Sequence, residues 1–219
     1  VDYQFSKDES KVLLILNPEM IYRHSYLADC FVYDIATKKL TSVAKEKVRL
    51  AEFSPNSQKV AYVSNNNIFI FDIASMQTKQ ITTDGEYNHI INGTTDWVYE
   101  EEFAITKGFF WSNDSEKIAY YKFDESKVKQ FSMTMYGDLY PMEYVYKYPK
   151  AGEDNSVVEI YVYDLKNDKT NHIDMGMNKD IYLPRLQWTP NDEVFIHKLN
   201  RHQNQYELFI ASTNAYLAG

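Results

Sequence analysis

Four segments of this chain carry the same short pattern, and that repetition constrains the fold more than any other feature. In each, an aromatic residue is followed by Ser or Thr, then turn-forming polar residues, then an apolar run. The copies are Phe5-Ser6-Lys7-Asp8 before Val12-Leu13-Leu14, Phe53-Ser54-Pro55-Asn56 before Val60-Ala61-Tyr62, Trp111-Ser112-Asn113-Asp114 before Ile118-Ala119-Tyr120, and Trp188-Thr189-Pro190-Asn191 before Val194-Phe195-Ile196. The Pro/Asn/Asp/Ser clusters signal type I turns, and the runs beside them read as strands. A second element follows: an alternating strand ending in Tyr-Asp or Phe-Asp, a polar turn, and another strand. It is visible at Phe31-Val32-Tyr33-Asp34, Ile68-Phe69-Ile70-Phe71-Asp72 and Ile160-Tyr161-Val162-Tyr163-Asp164, with Tyr206 to Ala211 as the fourth copy. Two hairpins per repeat predict a four-stranded antiparallel sheet, which is a propeller blade. The sequence therefore predicts an all-β chain, an incomplete β-propeller of four-stranded antiparallel blades over residues 1–219. A β-sandwich is the weaker alternative, because a sandwich does not require matched turn motifs at every return. The aromatic share of 16%, 19 of those residues being Tyr, favours pleated, half-buried surfaces and agrees with strands.

The aromatic anchors Phe5, Phe53, Trp111 and Trp188 are 48, 58 and 77 residues apart (53 − 5, 111 − 53 and 188 − 111). A plain blade of this kind takes about 40–45 residues. The second and third intervals therefore hold insertions, which in repeat proteins map to loops, often on the binding face.

The first insertion contains Asn92-Gly93-Thr94-Thr95-Asp96-Trp97-Val98-Tyr99-Glu100-Glu101-Glu102-Phe103. In a strand, three consecutive carboxylates would point to alternate faces. In a short helix they fan out at about 100° per residue, so two neighbours can converge on one small cation. Asp96 is a fitting N-cap, with Gly93 and Thr94 closing the turn before it. The plain alternative is an acidic, solvated first turn favoured by the helix dipole.

The run Asp96-Trp97-Val98-Tyr99-Glu100-Glu101-Glu102 resembles the signature of the dipeptidyl peptidase IV family, and Asn92-Gly93-Thr94-Thr95 fits the same pattern. Tyr22-Arg23-His24-Ser25-Tyr26 and Tyr148-Pro149-Lys150-Ala151-Gly152 are similar to two further family segments, in the right order. The resemblance runs from about the first strand to Ala211. It implies part of an eight-bladed N-terminal propeller, with Glu101 and Glu102 binding the α-ammonium group of a peptide substrate. It gives Arg23 contacts to a substrate carbonyl and to the glutamate pair. An α-amino group titrates at about 7.7–8.0 and is largely protonated near neutrality. Two carboxylates held together attract such a cation, and an arginine beside them relieves their mutual repulsion. The segment Phe103-Ala104-Ile105-Thr106-Lys107 departs from the mammalian members, so subsite contacts are not carried over there.

The resemblance implies the substrate-recognition and gating propeller of a serine exopeptidase. That enzyme removes N-terminal X-Pro or X-Ala dipeptides. The alternatives are the propeller of a prolyl tripeptidyl peptidase, or a non-catalytic family member acting as a binding module. No Gly-x-Ser-x-Gly elbow occurs in the sequence, and no catalytic residue is assigned. The family's catalytic triad belongs to a C-terminal α/β-hydrolase domain, expected to lie outside this chain, so the fragment alone should be inactive. The five histidines, His24, His89, His172, His197 and His202, show no metal-ligand spacing. No metal and no cofactor is expected.

The second insertion, Phe131 to Tyr148, alternates like a strand, turns near Gly137-Asp138 and returns. An irregular core hairpin would read the same way. The resemblance implies instead that residues 128–147 form an arm that helps join a homodimer. The net charge of −8, with no Lys/Arg run, argues against nucleic acid as a partner. The one cysteine, Cys30, has no disulfide partner within the chain and reads as a small buried residue. A single cysteine suits a bacterial member, for which the family implies a secreted, periplasmic or cell-surface location. No signal peptide or membrane span is visible in the sequence. The tail Asn214 to Gly219 does not read as a continuation of a blade.

Overall fold

The structure, a computed structural model, describes residues 2–213. The tail read above as breaking the blade pattern lies outside the described residues. The first sheet runs β1 (Asp2–Phe5), β2 (Lys11–Met20), β3 (Tyr26–Asp34) and β4 (Leu40–Ser42), each antiparallel to the next. The second repeats that meander with β5 (Arg49–Phe53), β6 (Lys59–Ser64), β7 (Asn67–Asp72) and β8 (Gln77–Gln80). The chain then makes a short strand β9 (Ile90–Asn92) and a two-turn helix α1 (Trp97–Phe103). A third sheet follows, from β10 (Phe109–Trp111) and β11 (Lys117–Asp124). After β11 the chain leaves it for a separate hairpin, β12 (Gln130–Met135) and β13 (Met142–Lys147). It returns with β14 (Val157–Asp164) and β15 (Lys169–Ile173). β9 extends this sheet by pairing with the end of β11, Ile91 opposite Phe123. The described part of the fourth sheet is β16 (Ile181–Trp188), β17 (Val194–Asn200) and β18 (Tyr206–Ala211).

Both faces of the inner strands are buried, and the two-residue side-chain period explains how. Val60 and Tyr62 on one face of β6 join the core shared with the first sheet. Ala61 and Val63 on the other face join the core shared with the third. Along β11, Ile118 and Tyr120 face the second sheet, while Ala119, Tyr121 and Phe123 face the fourth. Each core thus lies between consecutive sheets, which is blade-on-blade stacking, and the chain is an incomplete β-propeller. Cys30 is 5% exposed in the first of these cores, as its reading predicts, and burial pushes its thiol up to about 12.

The repeated turn motif has a physical explanation. The residue four places after each aromatic anchor is left-handed: Glu9, Ser57, Ser115 and Asp192 have φ of 57°, 63°, 65° and 57°. Within the turn, Ser54 Oγ accepts the Lys59 N–H at 3.0 Å and Ser112 Oγ accepts the Lys117 N–H at 2.8 Å. The turns also join the blades. Asn56 N–H donates to Ser115 Oγ at 2.9 Å, and Asn113 N–H donates to Asp192 Oδ1 at 2.9 Å. The Tyr-Asp and Phe-Asp endings are Asx turns. Asp34, Asp72 and Asp164 accept the N–H groups of Thr37, Ser75 and Asn167 at 2.7–2.9 Å, and Lys38, Met76 and Asp168 follow with positive φ.

Candidate functional site

The first insertion becomes β9, a tight turn and α1. Gly93 has φ +75°, and a Cβ there would lie 2.5 Å from Ile68 Cγ1, so only glycine suits this crossing. Asp96 caps the helix as the sequence predicts, its Oδ1 accepting Tyr99 N–H at 2.9 Å. Its other oxygen accepts Ser156 Oγ–H at 2.7 Å, and burial raises its carboxyl above the usual range. At the far end Ala104 is left-handed and turns the chain out of the helix.

With seven residues, α1 has little intrinsic stability and depends on its packing. Residues three and four apart share a helix face, and Asp96, Tyr99, Glu100 and Phe103 form the face turned inward. Tyr99 is 2% exposed, its ring lies 4.8 Å from Phe123, and its hydroxyl accepts the Leu183 N–H at 2.8 Å. Glu100 is fully buried. Its Oε1 accepts two main-chain N–H groups, from His24 and Ser25, both at 2.8 Å. Among the described residues its Oε2 has no hydrogen-bond partner, nor do Nε and Nη2 of Arg49. Burial lowers the Arg49 basicity while the Glu100 charge supports it.

The triplet therefore divides as a helix must divide it. Glu100 points inward and holds the turn between β2 and β3. The next 100° step brings Glu101 to the edge, its side chain 16% exposed, where Oε2 lies 3.3 Å from Nε of Arg23. Arg23 stands on the turn that Glu100 grips and is 73% exposed. Glu102 is exposed and makes no ion pair or hydrogen bond among the described residues. Of the three residues singled out in the sequence, Arg23 and Glu101 are in contact. Glu102 is next to Glu101 on the helix and free to take a ligand. This arrangement offers a small cation one carboxylate already balanced by a guanidinium and a second that is not.

Glu100 was grouped in the sequence with its acidic neighbours and given no role of its own. Its spacing of four from Asp96 was the available signal, because it puts Glu100 on the N-cap side of the helix. Arg49 carried no signal. No group of three or more His, Cys, Asp or Glu residues suited to a metal occurs among the described residues.

The family model for the dipeptidyl peptidase IV (DPP IV) N-terminal region matches residues 6–217. The chain is 34% identical over 218 residues to dipeptidyl aminopeptidase B of Saccharomyces cerevisiae, covering 96% of this chain and 26% of that protein. It is 32% identical over 230 residues to dipeptidyl peptidase 4 of Felis catus, covering 97% of this chain and 30% of that protein. Among solved structures, Porphyromonas gingivalis dipeptidyl peptidase 4 matches with a TM-score of 0.93 and 40% identity, over 97% of this chain and 31% of that one. The chain spans less than a third of the length of these relatives, and it belongs to the dipeptidyl peptidase IV family as part of the N-terminal propeller region.

Proposed function

We propose that this chain is the substrate-recognition and gating propeller of a serine exopeptidase that removes N-terminal X-Pro or X-Ala dipeptides, with Glu101 and Glu102 gripping the substrate's α-ammonium group. The observation that carries this reading is the Arg23–Glu101 contact, 3.3 Å across two segments far apart in sequence, with Glu102 beside it unpartnered. A protonated amine presents several N–H donors and one positive charge. Glu101 and Glu102 supply the acceptors. Arg23 balances one charge of the pair, and in this reading it also contacts a substrate carbonyl. An N-acylated peptide or a chain interior has no charge to offer and would leave Glu102 desolvated and unpaired, at a cost of about 1–3 kcal/mol or more. The clamp thus measures distance from the free amino end and sets the scissile carbonyl against a nucleophile. We place that nucleophile on an α/β-hydrolase domain C-terminal to this stretch.

The hairpin β12–β13 supports a role for the arm in a homodimer. Among the described residues its two strands pair only with each other, and its tip exposes Tyr136, Leu139, Tyr140 and Met142 at 63–91%. Such apolar exposure marks interaction surfaces. A secreted location, periplasmic or at a bacterial cell surface, belongs to the same reading. In the full-length protein, an H-Gly-Pro anilide and its N-acetylated form should differ in cleavage by several orders of magnitude. Comparable rates on the two would end the proposal.

A further inference from the structure

Beside the clamp helix lies a cavity of about 430 Å³, with none of Arg23, Glu101 and Glu102 in its wall. Tyr22 lines it from the turn after β2, Arg49 from β5, Tyr87 from the loop before β9, Trp97 from α1, Glu125 from beyond β11 and Tyr144 from the arm strand β13. Three blades and the arm thus enclose one space.

Two features of this wall point to one kind of ligand. The first is Glu125, 6% exposed. Its main chain is satisfied, the N–H donating to His89 O at 2.8 Å and the carbonyl accepting Val128 N–H at 2.9 Å. Its carboxyl makes no hydrogen bond or ion pair among the described residues, although such burial is costly without a partner. Burial, opposed by Lys147 and reinforced by Asp96 and Asp124, pushes this carboxyl up to about 8. Of the nearby cations, Lys147 Nζ donates to the Val128 carbonyl at 2.7 Å, and Arg49, whose charge is supported by Glu100, Tyr22 and Tyr144, is not among the charges that act on Glu125. The second feature is aromatic. Tyr22, Tyr87 and Tyr144 share the cavity wall with Glu125, and the phenols of Tyr22 and Tyr87, raised mainly by burial, also feel Tyr144 and the Glu125 charge. Tyr87 Oη is tied to the Val145 carbonyl at 3.0 Å, fixing one ring at the mouth. A buried acid without a bonded partner, set among aromatic side chains, recognises an organic cation. An anionic ligand would meet Glu125, and no set of three metal ligands occurs here among the described residues.

We propose that this cavity is a second ligand site that binds a small organic ammonium, its charged head on Glu125 and its apolar part against Tyr22, Tyr87 and Tyr144. The site does not depend on the amine clamp, but it touches both segments that carry it. Tyr22 precedes Arg23, and Trp97 opens the helix that bears Glu101 and Glu102.

Calorimetric titration of the full-length protein with choline, whose charge is fixed, and with its neutral isostere 3,3-dimethylbutanol tests this. Choline should bind at one site, at least about tenfold more tightly than the alcohol. E125Q and Y144A should each weaken choline by about tenfold, whereas an E101Q/E102Q double variant should bind it unchanged. Since the ligand favours the ionised carboxyl, choline affinity should rise between about pH 6 and about pH 9. Equal binding of the two probes, undiminished binding by E125Q and Y144A, loss of binding in E101Q/E102Q, or no binding of choline at all would overturn the proposal.

Discussion

The buried carboxylate of Glu100 accepts the Ser25 main-chain N–H at 2.8 Å and so ties helix α1 to the turn that presents Arg23. The same oxygen holds the His24 N–H at the same distance. One residue of the acidic triplet is therefore structural, and it fixes the turn that brings Arg23 to Glu101.

Replacing Glu100 with Ala should leave two main-chain N–H groups unpaired and release the Arg23 turn. The expected loss is about 2–6 kcal/mol in denaturant unfolding, each of the two orphaned donors costing about 1–3 kcal/mol. Glu102→Ala, at an exposed position, should change stability by less than about 0.5 kcal/mol. Similar losses for the two variants would contradict the division of roles within the triplet.

Asp96→Ala should cost about 1–2 kcal/mol for the lost cap, with a further penalty for stranding Ser156 Oγ. Asp96→Asn, which keeps the acceptor for Tyr99 N–H, should recover most of it. Thermal melting of the two variants separates the cap from the charge.

Gly93→Ala forces a Cβ into a left-handed position 2.5 Å from Ile68 Cγ1. A loss of at least about 1–2 kcal/mol is expected, together with lower activity, because this turn delivers α1. Unfolding midpoints compared with Gly152→Ala provide the control. Gly152 also has positive φ, but nothing lies within 4 Å of its added Cβ.

Glu125 makes folding stability depend on pH in an unusual direction. Its folded-state pKa, pushed up to about 8, lies above its ordinary value of 4.5. The folded state therefore binds more protons than the unfolded one between those limits, and stability from this group falls as pH rises through that window. Urea unfolding should show this decline, and E125Q should flatten it. A slope unchanged by the substitution would show that the carboxyl titrates normally.

The blades were legible because their turns recur chemically. A left-handed residue four places after an aromatic anchor, and an Asp that closes an Asx turn, follow from local rules and appear in every full copy. Asp96 as a cap and the hairpin across Gly137-Asp138 were readable for the same reason. Contacts between blades were not local and were not legible. Glu100 reaches residues 75 and 76 positions away, and nothing in the stretch Val48 to Ala51 distinguishes Arg49 from a surface arginine. The Glu125 cavity depends on at least six separate segments meeting, which periodicity does not encode.

The most direct test of amine recognition by Glu101 and Glu102 is kcat/KM of the full-length protein on an H-Gly-Pro anilide, compared with its E101A and E102A variants. A loss of at least about a hundredfold is expected for each, in line with about 3 kcal/mol of lost transition-state binding, with E102A remaining as stable as the parent. Wild-type-like kcat/KM in both variants would contradict it.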